Sequence, residues 1–173
     1  MKNKSIYLIL AGIVVFLTLF WLNSNHSSSS DSRKPNVYPA LSELSGFDLN
    51  QVKGQYFVLH FWAKWCEPCA EEIPHLVQFS ADAKFSKPLK VVAVSLDPTL
   101  DEAKAILPEK GAHLPTNFIL ALDPDRKVAE KVGSYQYPES YFIGPEGEVI
   151  EKWIGSQKWQ KPEVTDFFKQ KLQ

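Results

Sequence analysis

Five residues, Trp65-Cys66-Glu67-Pro68-Cys69, constrain this chain more than any other stretch. They hold its only two cysteines, three positions apart, at a junction between two kinds of sequence. Ahead of them Tyr56 to Trp62 is an apolar and aromatic run of the kind that forms a buried strand. Behind them, in Ala70 to Phe79, Ile73, Leu76 and Val77 recur at helical spacing while Glu71, Glu72 and Gln78 fall off that stripe. A strand, then Cys-x-x-Cys, then an amphipathic helix is a redox arrangement. Cys66 falls at the helix N-terminus, where unpaired N–H groups and the positive dipole end stabilise a thiolate. Pro68 suits the first helical turn, because its missing donor costs nothing there. The helix start exposes Cys66 and covers Cys69, so Cys66 is read as the nucleophile and Cys69 as the resolving thiol. A zinc site needs two more ligands, and no second Cys-x-x-Cys or clustered His pair supplies them. The competing reading is two buried structural thiols.

Phe61 to Cys69 resembles the active-site segment of the thioredoxin superfamily, and Pro74 matches the proline that kinks that family's active-site helix. More narrowly, the chain from about Ser45 onward is similar to the membrane-anchored thiol–disulfide oxidoreductases of the TlpA/ResA and DsbE/CcmG kind, which serve cytochrome c maturation. Glu72, three residues after Cys69, falls where those proteins place an active-site acid. Gly133 to Ser140 resembles the cis-proline loop of the cytochrome c subgroup, with Glu139 as the acid straight after Pro138. The resemblance implies a thioredoxin-like α/β fold, no cofactor and no metal. Its implied partners are protein disulfides, apocytochrome c among them, and a membrane thiol transporter as electron donor.

Lys2 and Lys4 precede Ile6 to Leu22, a run without a charge. Those seventeen residues reach roughly 26 Å as a helix, just enough to cross a bilayer core. Tyr7 and Trp21 stand near its ends, where amphipathic rings favour the interface. The expectation is a retained transmembrane anchor over 1–23, a flexible serine-rich tether over 24–36 and a thioredoxin-like domain over 37–173. With lysines before the run and none just after, the N-terminus is expected in the cytoplasm. The catalytic domain then lies outside it, at the inner membrane on the periplasmic side. A cleaved signal peptide is the alternative, disfavoured by the length of the run. The net charge of −1 and the lack of a basic, aromatic-interleaved patch argue against nucleic acid as a partner.

Along the domain, strands are expected over 56–62, 89–95, 117–122, 140–143 and 148–154, the last two flanking the Pro145-Glu146-Gly147 turn signal. Helices are expected over 67–83, 100–107, 126–132 and 163–172, and Phe47 to Leu49 reads as a short strand. This order argues a central mixed sheet with helices on both faces.

Several other side chains are drawn to the chemistry. The resemblance implies a cis Pro138, which would leave the backbone groups of Tyr137 free beside Cys66 to pair with an extended partner segment. Trp65 is read as shaping the site and, with Tyr137, as meeting substrate. If Glu72 and Glu139 both face the cysteines, their charges oppose the helix dipole and raise the thiol pKa. His60 stands six residues before Cys66, where thioredoxins usually carry a buried Asp and the anchored relatives often Asn. It is either a shuttle for the proton of Cys69 or a core polar group satisfied by backbone or water. The function read from all of this is reduction of protein disulfides outside the cytoplasm. A general reductase with other clients is the runner-up. A Sco-like copper carrier has three residues between its cysteines rather than two, and no Pro-x-x-x-Thr-x-x-Cys pattern points to a peroxidase.

Overall fold

The computed structural model describes residues 12–21, 35–81 and 89–172. The chain divides into two compact units, Met1–Arg33 and Lys34–Gln173. In the first, residues 12–21 form helix α1, with Phe16, Phe20 and Trp21 among its exposed side chains. Among the described residues no helix is long and apolar enough to cross a membrane. The rest of the expected Ile6–Leu22 span, and nearly all of the expected tether, lie outside the described residues. In the second unit Asn36 bridges to Glu148 and the carbonyl of Pro35 accepts from the Val149 N–H at 3.2 Å.

In the second unit β1 (Phe57–Trp62) lies at the centre of a five-stranded sheet. Its neighbours are β2 (Lys90–Ser95), parallel, and β4 (Glu139–Ile143), antiparallel. Strand β3 (Phe118–Leu122) extends the parallel side and β5 (Val149–Ile154) the antiparallel side, giving the order β3-β2-β1-β4-β5. Every residue of β1 is buried, as a strand covered on both faces requires. The helices are α2 (Tyr38–Leu41), α3 (Glu67–Ser80), α4 (Leu100–Lys104), α5 (Lys127–Val132) and α6 (Pro162–Lys171). This is the expected thioredoxin-like α/β fold with a mixed sheet.

Side-chain alternation along the strands sorts the core into two layers. His60, Ser140 and Phe142 point to the layer of α3 and α6. There the Phe79, Trp159 and Phe168 rings pack with centroids 5.1 and 5.2 Å apart around Phe79, and Phe168 meets Phe142 at 5.0 Å. Phe57, Phe61, Glu139 and Tyr141 point to the other layer, where Phe61 and Tyr141 meet edge-on at 6.1 Å and Phe57 stacks with Tyr38.

Helix α3 ends at Ser80, short of the expected 83, with Ala81 as its cap, and two other expected elements differ. Phe47 to Leu49 is not a strand; Leu49–Gln51 is a 3-10 turn, because the Asp48 carboxylate takes the Asn50 N–H at 2.9 Å and so holds the backbone in a turn. Helix α4 stops at Lys104 rather than Leu107, since Pro108 disfavours helical backbone just before it, and Pro108–Gly111 forms a 3-10 turn instead. Gly133 closes α5 as expected, in the left-handed conformation at φ 83°.

Candidate active site

Cys66 is the N-cap of α3, with extended backbone at φ −91° and ψ 101°, and Pro68 lies in the first turn. The two cysteines form a disulfide, with Sγ–Sγ 2.06 Å and Cα–Cα 5.2 Å. Both cysteines are buried, Cys66 keeping 7% exposure and Cys69 none. The turn from β1 into α3 is held from below. The Cys66 N–H donates to the Ala63 carbonyl at 3.2 Å, and the Lys64 N–H to Asp97 Oδ2 at 2.9 Å. Asp97 is itself buried and also accepts from Ser95 Oγ at 2.7 Å. Asp97 reads in the sequence only as a helix-opening turn. Its positioning role follows from β1 and β2 being parallel neighbours, so that their C-terminal ends meet.

The Tyr137–Pro138 peptide bond is cis. Pro138 is buried and its carbonyl accepts from the Gly155 N–H at 2.8 Å. Trp65, 57% exposed, meets the Tyr137 ring edge-on at 6.2 Å, which sets the cysteine turn and the proline loop side by side. No hydrogen bond of the Tyr137 backbone is found among the described residues.

The other expected site residues separate into two groups. Glu72 lies in the α3–α6 layer at 3% exposure. Its Oε1 accepts from Trp159 Nε1 at 2.6 Å and from the Gln157 N–H at 3.0 Å, while Oε2 has no partner among the described residues. Burial pushes its pKa up to about 7, the hydrogen bonds offsetting only part of the effect. His60 is wholly buried in the same layer, and its ring stands edge-on to Trp159 at 6.5 Å. Nδ1 lies 2.8 Å from Ser140 Oγ and Nε2 has no partner, so one indole borders both incompletely satisfied groups. Burial pulls the His60 pKa down to about 3, which keeps the imidazole neutral. Beside Glu72 opens a cleft of about 380 Å³ lined by Pro68, Glu71, His75, Gln157 and Lys158.

Glu139 leaves β4 on the opposite face of the sheet. It is 1% exposed, with Oε1 2.9 Å from Lys152 Nζ and Oε2 accepting from Tyr141 OH at 3.1 Å. Lys152 also donates to the Gly133 carbonyl at 3.0 Å, tying β5 to the start of the proline loop. The two acids thus lie on opposite faces of the sheet, because strand alternation sends Glu139 away from the layer that holds Glu72. Sequence reading did not find Trp159, Gln157, Lys152 or Ser140. Each is an ordinary residue until the fold brings it to a carboxylate or an imidazole.

Residues 39–152 match the AhpC/TSA family. The chain belongs to that family. It is 29% identical over 163 residues to the thiol-disulfide oxidoreductase ResA of Bacillus thuringiensis (strain Al Hakam), covering 90% of this chain and 91% of that protein. It is 31% identical over 117 residues to the thiol:disulfide interchange protein CycY of Rhizobium leguminosarum bv. viciae, covering 68% of this chain and 56% of that one. Among solved structures, a thiol:disulfide interchange protein DsbE from Chlorobium tepidum superposes with a TM-score of 0.59 at 30% identity, over 72% of this chain and 85% of that one. With its Cys66–Cys69 disulfide, the chain is a thioredoxin-like protein dithiol–disulfide oxidoreductase of the TlpA/ResA/DsbE type.

Proposed function

We propose that this oxidoreductase works outside the cytoplasm as a reductant of protein disulfides, held at the membrane by residues 1–23 through the tether 24–36, and that its clients include the haem-attachment cysteines of apocytochrome c. The observation that carries the reading is the disulfide at the start of α3, with exposed Trp65 against Tyr137, whose backbone makes no hydrogen bond among the described residues and so can pair with an extended client.

In the reduced enzyme the Cys66 thiolate attacks one sulfur of the client disulfide, and the other client sulfur leaves as a thiolate. Cys69, deprotonated, then attacks Cys66 and closes the ring. Two electrons pass to the client, which leaves as a dithiol once its thiolates take up protons. A membrane dithiol donor of the kind the resemblance implies would reset the pair. The reducing direction fits Glu72: a thiolate stabilised by the helix N-terminus makes a dithiol oxidising, and a buried carboxylate without a cation opposes that stabilisation. Neutral His60, in the same layer, is read as a shuttle for the proton of Cys69. The exposed apolar side chains of α1, with the uncharged run around them, support the anchor. The Gly133-to-Ser140 loop supports the cytochrome c client by its resemblance to that subgroup.

Trapping tests the chemistry. Cys69→Ala is expected to accumulate mixed disulfides with client proteins and Cys66→Ala to accumulate none; equal trapping would reverse or remove the assignment. For the client, a strain lacking the chain is expected to lose covalent c-type haem, with partial rescue by a small thiol reductant. Normal cytochromes, with no redundant relative in the genome, would favour a general reductase instead.

A further inference from the structure

Arg126 is the one non-glycine residue with positive φ among the described residues, at φ 60° and ψ 15°. Side chains other than Gly, Asn and Asp rarely adopt that conformation. The surroundings impose it. The Arg126 N–H donates to the Asp123 carbonyl at 3.0 Å, and the Asp123 carboxylate takes the N–H groups of Val128 at 3.2 Å and Ala129 at 2.8 Å. The forced turn lays the Arg126 guanidinium over the Trp65 ring, 5.5 Å from its centroid.

Most nearby carboxylates are engaged elsewhere, and Glu130, whose charge also reaches Tyr137, forms no ion pair with Arg126 among the described residues. Asp125 pairs with Lys127, Glu43 with Lys131, Glu139 with Lys152, and Asp123 with the start of α5. Among the described residues the guanidinium has no hydrogen-bond or ion-pair partner. Its donors are thus unpaired on an exposed aromatic platform whose two rings adjoin Cys66 and Pro138 in sequence. Backbone strain of this kind persists where the fold over-determines it, and clusters at binding sites.

We propose that Arg126 is a specificity residue that receives a client carboxylate, from an Asp or Glu lying within a few residues of the disulfide under attack. The inference rests on the reading above that an extended segment pairs alongside Tyr137. Charge complementarity identifies the occupant. A guanidinium placed over an indole, 5.5 Å from its centroid, can offer its planar donor edge to a carboxylate, and the exposed ring beneath it can cover apolar parts of the same segment.

The test uses two disulfide peptides that differ only by Asp or Asn beside a cysteine. The reduced protein is expected to favour the acidic peptide by about threefold in kcat/KM at low salt, and to lose that preference at roughly 1 M salt. Arg126→Asn, a residue that tolerates the left-handed backbone, is expected to bring the ratio to about one; Arg126→Lys should keep part of it. Binding of the same peptides with S-methylated cysteines, followed by tryptophan fluorescence, reads the preference without any turnover. An acidic preference in binding with no reduction of either peptide would remove the reductase reading and leave Arg126 standing. Reduction of both peptides at equal rate and affinity by the wild type, or an undiminished preference in a folded Arg126→Asn, would overturn the proposal.

Discussion

Glu72 and Glu139 are the same residue at nearly the same burial, 3% and 1% exposed, on opposite faces of one sheet. On the α3–α6 side, Glu72 has two neutral donors on one oxygen and, among the described residues, no hydrogen bond on the other and no ion pair. On the other side, Glu139 has one donor for each oxygen, and one of the two is the Lys152 ammonium. Burial without a cation yields a group that titrates near neutrality; burial with one yields a cross-strand ion pair that organises the proline loop. Being acidic and near the cysteines is therefore not enough to assign a role. The partner decides it.

The largest expected effect tests the first half of the comparison through pH. Glu72 titrates at about 7 folded against 4.5 unfolded. Between those values the folded state holds a proton that the unfolded state has released, so this group's contribution to stability falls as pH rises. His60 titrates at about 3 folded against 6.5 unfolded. There the unfolded state holds the extra proton, and the contribution rises with pH. From pH 4.5 to 6.5 the two slopes are equal and opposite, so they cancel in the wild type. Relative to wild type, Glu72→Gln should gain about 3 kcal/mol across that window and His60→Asn should lose about as much. Urea unfolding of the oxidised protein at several pH values reads both. Variants that run parallel to the wild type would break the account of this layer.

The next effect tests the second half. Lys152→Met leaves Glu139 buried with only the Tyr141 hydroxyl, at an expected cost of about 2 kcal/mol, discounted because Lys152 is partly exposed. Thermal unfolding would measure it. The loss should shrink in a Lys152→Met/Glu139→Gln double variant, since no buried charge is then left unpaired. Strictly additive losses would mean that the pair is not coupled.

The smallest effect concerns the thiols themselves. Removing the Glu72 charge is expected to lower the apparent pKa of Cys66 by about one unit and to make the potential less negative. Glu139→Gln should act in the same direction by less than half as much, because Lys152 already answers that charge. Thiol alkylation against pH and a glutathione titration would show the ranking. Equal shifts would mean that the two carboxylates act on the sulfurs as one cluster after all.

Much of this protein is written locally in its sequence. The Cys-x-x-Cys pair between a buried strand and an amphipathic helix, Pro68 in the first turn, Gly133 as a helix stop and the Pro145-Glu146-Gly147 hairpin depend on backbone preferences and on neighbours a few residues away. The element order and the mixed sheet follow from them, and Cys66 stands as the N-cap of α3 in a disulfide with Cys69. Where a local preference lost, as at Phe47 to Leu49, a side chain such as Asp48 offered the backbone another partner. The environments of the site residues are long-range. Trp159 and Glu72 stand 87 positions apart, and His60 and Ser140 stand 80 apart. A pKa is set by desolvation and by whichever donors arrive at the same point in space, and no spacing rule encodes that. The sequence alone thus determined the redox pair and the frame that presents it. Which carboxylate is buried without a cation, which is paired with one, and whether Arg126 meets an anion among the described residues were decided only when distant segments packed, because electrostatic partners are chosen by distance in space rather than along the chain.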